Sequence, residues 1–349
     1  MDRVLRVVVV DDSAYVRKVV REILSRSPFI EVVGAARDGR EALDLVEQLN
    51  PDVVTCDLNM PELDGVEFVR EQMRRRPVPI IIMSVANETA EAALTALDAG
   101  AIDFVQKPTA LASEKIFDVS TELLEKVKAA GNIALNRISA VPVPPIVPVS
   151  APLTAITGSH SVDLVVLGIS TGGPQALKRL IPQLPADFPV PVLMVMHMPV
   201  GYTEMYAAKL NELSQLEVRE AAEGDAVKPG RVFLAQAGRH LTVKRDLSGN
   251  VVMHLDARPF NTLHKPAVDV LFQSAAEVYG NRVLGVVMTG MGSDGKQGAA
   301  WIKAQGGLVY TEAESSCVVY GMPSVVVEAG LSDRSVALED MSRAIMEVV

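Results

Sequence analysis

Between Ile138 and Ser161 the chain carries no formally charged residue, and Pro142, Pro144, Pro145, Pro148 and Pro152 all fall inside that stretch. A membrane-spanning helix needs about 20 helix-compatible apolar residues. Each proline here removes a backbone donor and bars a regular helix, so a span is excluded. A partly extended, semi-rigid tether is expected instead, over residues 129–161. Such a tether splits the 349 residues into two bodies, 1–128 and 162–349, as the usual length of domains allows.

Both bodies alternate strand and helix signals. In the first, the apolar runs Leu5–Val10, Ile30–Ala35, Asp52–Cys56, Ile80–Ser84 and Asp103–Val105 read as strands. Helical spacing fills Ala14–Leu24, Gly39–Leu49, Val66–Arg75, Glu88–Ala99 and Ser113–Lys128, with Ser113 as the N-cap of the last. Five strands alternating with five helices predict a doubly wound, flavodoxin-like parallel sheet. In the second body the strands expected are Val162–Leu167, Val192–Met196, Arg231–Leu234, Val283–Met288 and Leu308–Thr311. His240–Lys244 and Asn250–Leu255, joined by a loop with Gly249, read as a β-hairpin. The expectation is a Rossmann-like α/β domain carrying an antiparallel insertion.

Composition narrows the function. A net charge of −10 argues against nucleic acid as the main partner, and no basic patch marks a membrane surface. Cys56 and Cys317 are too few for a disulfide framework or a zinc site and are expected in the core. The first apolar run ends quickly at Asp11-Asp12, so no signal peptide is expected, and the chain is expected in the cytoplasm.

Ligands of parallel α/β sheets bind beyond the C-terminal ends of the strands. Asp11 and Asp12 end the first strand, Asp57 the third and Ser84 the fourth, and Lys107-Pro108 follows the fifth. Three carboxylates at one edge repel unless a hard cation such as Mg²⁺ joins them. Asp57 is placed to accept a phosphoryl group as an acyl phosphate. The set Asp11-Asp12, Asp57-Leu58-Asn59-Met60-Pro61, Asp64-Gly65, Ser84 and Lys107-Pro108 resembles a response-regulator receiver domain. The resemblance implies phosphorylation of Asp57 by a histidine kinase. It implies Mg²⁺ held by Asp12, Asp57 and the Asn59 carbonyl, with Asp11 nearby or bound through water. Ser84 and Lys107 would contact the phosphoryl oxygens, and Phe104 takes the place of the aromatic switch residue. The alternative is a receiver that no longer takes phosphate and serves only dimerisation. Every chemical position is filled, which argues against it.

Gly168-Ile169-Ser170-Thr171-Gly172-Gly173 follows the first strand of the second body and precedes a helix. A serine between glycines at such a turn can stand clear of the backbone as a nucleophile. The helix N-terminus behind it offers N–H groups to an oxyanion; the bland alternative is a structural or phosphate-cradling turn. Of five histidines, His160 lies in the tether, His240 and His254 on the hairpin, and His264 in a polar loop. His197 directly follows the strand Val192–Met196 and so shares the edge with Ser170, which makes it the best base. Asp294, after the strand Val283–Met288, reaches the same edge. The order Ser…His…Asp differs from the Ser…Asp…His of α/β-hydrolases. A rival reading exists, because Gly290-Met291-Gly292-Ser293-Asp294-Gly295 spells G-x-G-x-x-G and Glu312 ends the next strand. That is the dinucleotide fingerprint of an oxidoreductase, although Asp294 would place a carboxylate against the pyrophosphate.

The three segments around Ser170, His197 and Asp294, with His264-Lys265-Pro266-Ala267-Val268-Asp269 and Tyr320-Gly321-Met322-Pro323, resemble the catalytic domain of CheB-type chemotaxis methylesterases. The resemblance implies hydrolysis of glutamate γ-methyl esters, and deamidation of glutamines, on methyl-accepting chemoreceptors, without a cofactor for the esterase step. It gives the Met291 N–H the oxyanion role. It implies a CheA-type kinase as phosphodonor, neither nucleic-acid binding nor membrane insertion, and a receiver that blocks the serine edge until Asp57 is phosphorylated. Competing classes are a CheB-like enzyme of a non-motility pathway, a DNA-binding response regulator, for which no basic recognition element is visible, and the nucleotide-dependent oxidoreductase.

Overall fold

Val7–Val10 and Ile80–Met83 are wholly buried, as strands covered by helices on both faces must be. They belong to the first of two compact units, Met1–Pro142 and Val143–Val349, of the computed structural model. The structure describes residues 3–84, 90–107, 114–133, 162–259 and 261–349. The tether from residue 134 onward, with His160, lies outside the described residues, as do Pro108 and the expected cap Ser113.

The first unit runs β1 (Leu5–Val10), α1 (Ala14–Leu24), β2 (Ile30–Ala36), α2 (Gly39–Leu49), β3 (Val53–Asp57), α3 (Gly65–Arg75), β4 (Ile80–Ser84), α4 (Ala90–Asp98), β5 (Asp103–Gln106) and α5 (Glu114–Ala130). Side-chain caps start three of its helices. Ser13 accepts from Val16 N–H, Asp38 from Glu41 N–H and Asp64 from Glu67 N–H. The strands pair in parallel in the order β2-β1-β3-β4-β5, so the sequence-based expectation holds. Strand order reverses between β1 and β3, which opens a crevice at their C-terminal ends.

The second unit runs β6 (Leu164–Ile169), α6 (Gly173–Leu180), β7 (Val192–Met196), α7 (Thr203–Leu213), β8 (Glu217–Glu220), β9 (Arg231–Leu234), β10 (His240–Arg245), β11 (Val251–Asp256), α8 (Val268–Tyr279), β12 (Val283–Val287), α9 (Lys296–Ala304), β13 (Leu308–Glu312), α10 (Met322–Glu328), β14 (Arg334–Val336) and α11 (Leu338–Met346). Seven strands form one parallel sheet in the order β14-β13-β12-β6-β7-β9-β8. The sequence expectation missed β8 and β14. Both are short edge strands with charged, partly exposed residues, so no apolar run announces them. It also placed the first strand two residues early: β6 continues through Gly168 and Ile169 to the serine itself. The hairpin forms a separate two-stranded sheet, β10-β11, instead of joining the main one. Its Leu241, Val243 and Met253 pack into one core with Leu271 and Phe272 of α8.

Strand order reverses between β6 and β12, again giving a crevice at their C-terminal ends. There β6 and α8 come very close. A Cβ on Gly168 would lie 2.3 Å from Val268 Cγ1. Gly168→Ala is therefore expected to cost the second unit about 1–3 kcal/mol. Adding Val268→Ala should recover part of that loss. Denaturant melts of the single and double variants check it, with no shift expected in the receiver's transition.

Candidate functional sites

In the first unit the edge of β1, β3 and β5 gathers one cation and three carboxylates. Lys107 Nζ lies 2.9 Å from Asp11 Oδ2 and 2.7 Å from Asp57 Oδ2. Carboxylate oxygens of Asp11, Asp12 and Asp57 all lie within 4.8 Å of one another, with Asp11 and Asp57 buried and Asp12 exposed. Ser13 N–H donates to Asp11 Oδ1 and Leu58 N–H to Asp57 Oδ1, which fixes both carboxylates. Burial pushes the Asp57 carboxyl above its ordinary value, against the hydrogen bond and charge of Lys107. For Lys107 burial acts downward, but its bonds to Asp57 and Asp11 outweigh it and raise the ammonium. One lysine between three carboxylates leaves the pocket with excess negative charge, which suits a hard cation.

The other expected residues line the same edge. Asn59 is exposed two positions beyond Asp57. Ser84 is buried at the end of β4, and its carbonyl accepts Lys107 N–H at 2.8 Å. Phe104 is buried, with Lys126 Nζ 5.9 Å from its ring centroid and bonded to its carbonyl. Gly65 shows how tightly the pocket floor is built: a Cβ there would lie 2.1 Å from the Asp57 carbonyl oxygen.

In the second unit the serine turn is held from three sides. Gly172 adopts φ +81°, and a Cβ there would lie 2.6 Å from Val318 Cβ, so glycine is required. Ser170 N–H donates to the Thr289 carbonyl at 3.0 Å, and Gly173 N–H to the Ser170 carbonyl at 2.7 Å. A Cβ on Gly290 would lie 2.8 Å from Ser170 Cβ, which seats the turn after β12 directly against the serine. Met291 follows Gly290 there, and among the described residues no acceptor engages its N–H.

His197 is fixed one step beyond the β6–β7 ladder. Ile169 pairs with Met196, and His197 N–H donates to the Ile169 carbonyl at 3.2 Å, so Ser170 and His197 are neighbours on adjacent strands. His197 Nε2 lies 2.8 Å from Asp294 Oδ2. The carboxylate can only accept, so Nε2 carries a proton, and in the neutral ring the lone pair is then at Nδ1. Nδ1 is buried and without a hydrogen-bond partner. Among the described residues no hydrogen bond joins Ser170 Oγ to His197. In ligand-free sites such bonds are often long and close only with substrate.

Asp294 is gripped by the start of α8. Val268 N–H donates to its Oδ2 at 2.7 Å and Asp269 N–H to its Oδ1 at 2.9 Å. Burial would raise its carboxyl, but the bond and charge of His197 with these two amides hold it below the ordinary carboxylate value. It stays ionised until pH falls below the usual carboxylate range.

Around Ser170, His197 and Asp294 stand two residues to which sequence reasoning assigns no role in the site, His264 and Asp269, and one to which it assigns a different role, Glu312. The His264 ring stacks on His197, with centroids 4.0 Å apart. Asp269 Oδ1 accepts from Gly295 and Gly298 N–H, at 2.9 and 2.7 Å. Burial pushes its carboxyl up to about 6, with the charge of Asp294 adding to the rise and the Gly298 amide opposing it. Glu312 settles the dinucleotide alternative. It is 0% exposed and accepts from Thr289 N–H at 2.9 Å and from Ser316 Oγ at 3.0 Å. Thr289 in turn holds Ser170 N–H and, through its hydroxyl, the Thr171 carbonyl. The acid expected at a ribose instead braces the serine turn from inside.

Known proteins are similar to this chain. The family model described as "CheB methylesterase" matches residues 165–345, and that of the "Response regulator receiver domain" matches residues 7–116. A "Protein-glutamate methylesterase/protein-glutamine glutaminase 5" of Myxococcus xanthus is 49% identical over 97% of this chain and 96% of its own length. A "Protein-glutamate methylesterase/protein-glutamine glutaminase" of Symbiobacterium thermophilum is 44% identical over 100% of this chain and 98% of its own. The crystal structure of the Thermotoga maritima CheB methylesterase catalytic domain, 41% identical, covers 54% of this chain and 100% of that one with a TM-score of 0.53. With the receiver model matched at residues 7–116, the methylesterase model at 165–345 and a relative 49% identical over 97% of its length, the chain belongs to the CheB methylesterase family.

Proposed function

We propose that the chain is a phosphorylation-activated protein-glutamate methylesterase and protein-glutamine glutaminase. Residues 1–128 form its receiver, 129–161 its tether and 162–349 its catalytic domain. The observation that carries this reading is the Asp294–His197 pair, with an open Nδ1 one strand from Ser170.

Ser170 Oγ attacks the γ-carbonyl carbon of a methylated glutamate while its proton passes to His197 Nδ1. Asp294 holds the ring at Nε2 and stabilises the imidazolium that results. The carbonyl oxygen takes the negative charge beside the Met291 N–H, a donor whose loss costs roughly 3–4 kcal/mol of barrier in comparable sites. The tetrahedral adduct collapses, and methanol leaves with the proton from Nδ1. Water then gives a proton to Nδ1 as it attacks the acyl-serine, and the second adduct collapses as Nδ1 returns that proton to the departing Ser170 Oγ, releasing glutamate. With a glutamine side chain the leaving group is ammonia and the steps are otherwise the same. The substrates are methyl-accepting chemoreceptors, and the setting is the cytoplasm.

In the receiver, Asp57 takes a phosphoryl group from a CheA-type histidine kinase. Asp11, Asp12, Asp57 and the Asn59 carbonyl would hold Mg²⁺, which neutralises phosphoryl charge when bound. Lys107 and Ser84 contact the phosphoryl oxygens, and Phe104 relays the change. The acidic excess around a single lysine supports this assignment. Among the described residues no helix is long and apolar enough to cross a membrane.

Ser170→Ala is expected to abolish methanol release from methylated receptor while Asp57 still takes phosphate from acetyl phosphate; retained turnover would sink the triad. Asp294→Asn should lower kcat by about 10²–10⁴, because the ring loses its fixed tautomer. A small phosphodonor with Mg²⁺ should raise methanol release by the full-length protein, and Asp57→Asn should remove that rise. An equal rise in Asp57→Asn would rule out the receiver as the switch.

A further inference from the structure

His240 opens β10 at the base of the separate hairpin, and nothing above gives it a role. Among the described residues it is the one histidine that is 0% exposed. Both ring nitrogens are engaged. Ala267 N–H donates to Nδ1 at 3.2 Å, and Nε2 lies 3.1 Å from the Pro259 carbonyl oxygen and 3.2 Å from Thr262 Oγ1. These partners define a single protonation state. A backbone N–H pointing at Nδ1 requires a bare lone pair there, and a carbonyl facing Nε2 requires a proton there. The ring is therefore neutral, with its hydrogen on Nε2.

The three contacts, at Pro259, Thr262 and Ala267, are spread along the connection from β11 to α8, the segment that carries His264. Ala267 is also the N-cap residue of α8, and that helix has no side-chain cap of its own there. The next two amides, Val268 and Asp269, are those that grip Asp294. A chain of contacts thus runs from His240 Nδ1 through three consecutive backbone N–H groups to the carboxylate that orients His197. A second tie, Gly238 N–H to the Lys265 carbonyl at 2.9 Å, holds the connection two residues before Ala267 but does not reach the helix amides themselves.

Resting on the triad reading above, we propose that neutral His240 is a positioning residue for esterase catalysis. It clamps the start of α8 so that the Val268 and Asp269 amides meet Asp294, and a ring protonated at Nδ1 cannot do so. The charged groups around it are Lys265 on the connection, Asp256 at the end of β11, and Asp294 with its neighbour Asp269 beyond the helix start. Burial, with Lys265 adding to it, holds the imidazole below its ordinary value against the pull of the Pro259 carbonyl and the two aspartates, Asp294 and Asp256. The sign follows. A neutral buried histidine supports the fold above the unfolded-chain value of about 6.5, and that support is lost as pH falls from there toward the lower folded value.

Two measurements on the full-length protein test the clamp. In ¹⁵N-histidine NMR, His240 should show the Nε2–H neutral tautomer from pH 8 down through the ordinary histidine value, protonating only below it. An Nδ1–H tautomer, or ordinary titration near 6.5, overturns the proposal. In methanol-release kinetics at pH 7.5, His240→Gln can still donate toward Pro259 but offers no acceptor at the Nδ1 position. It should lower kcat about 10–100-fold with KM within about twofold, as small misplacements of catalytic groups do. His240→Asn, whose Oδ1 falls near the Nδ1 position, should regain about tenfold of that loss. Equal kcat for wild type and His240→Gln, or equal losses in the Gln and Asn variants, overturns it. Should the variants fail to fold, the NMR result on the wild type decides. Turnover in Ser170→Ala would overturn the triad and leave the NMR result on the clamp unaffected.

Discussion

Two helices in the catalytic unit exchange their caps, and the triad depends on that exchange. Asp294, in the turn before α9, accepts from the first amides of α8, while Asp269, in the first turn of α8, accepts from Gly295 and Gly298 at the start of α9. Each carboxylate satisfies amide donors that its partner helix would otherwise leave bare, and each sits at the positive end of a helix dipole. A side-chain cap is worth about 1 kcal/mol on an exposed helix. Here the two caps also fix the distance between helices. Gly298 lets them close, since a Cβ there would lie 2.5 Å from Phe272 Cβ. Asp294 can hold His197 at Nε2 only because its other lone pairs are occupied by groups that cannot swing away.

Both units place their chemistry by the same rule. Strand order reverses next to the first strand of each sheet, and the residues just past the strand ends face the crevice that results. In the receiver that crevice collects charge that a single lysine does not balance. In the catalytic unit it collects a buried ring and a well-bonded carboxylate. One site is suited to a transient anion and its counter-ion, the other to moving a proton between fixed partners.

Much of this was legible in the sequence. Buried parallel strands are continuous apolar runs, so Leu5–Val10, Ile80–Ser84, Val192–Met196 and Val283–Val287 announced themselves, and the residue after each run was a candidate for the edge. His197 follows such a run directly, Asp57 ends one, and Ser170, Lys107 and Asp294 lie in the turns beyond others, which is how the sequence placed them at the edges. The edge strands Glu217–Glu220 and Arg334–Val336 were not, because half-exposed short strands look like loops. Glu312 matched the spacing of a nucleotide motif, and only its burial shows that it faces inward. Asp269 and His240 act through backbone amides of segments distant in sequence. Spacing cannot reveal such contacts, although a carboxylate in the first turn of α8 was a visible hint.

The orientation of the His197 ring has a consequence for reach. Nδ1 lies close to its own main chain and Nε2 at the far end of the ring. With the acid taking the far nitrogen, the serine must come to the near one, so nucleophile and base belong on strands that are direct neighbours. The acid can then arrive from a third strand on the opposite side of β6. On the proposed mechanism the proton transfer is therefore confined to the backbone side of the ring, next to the ends of β6 and β7.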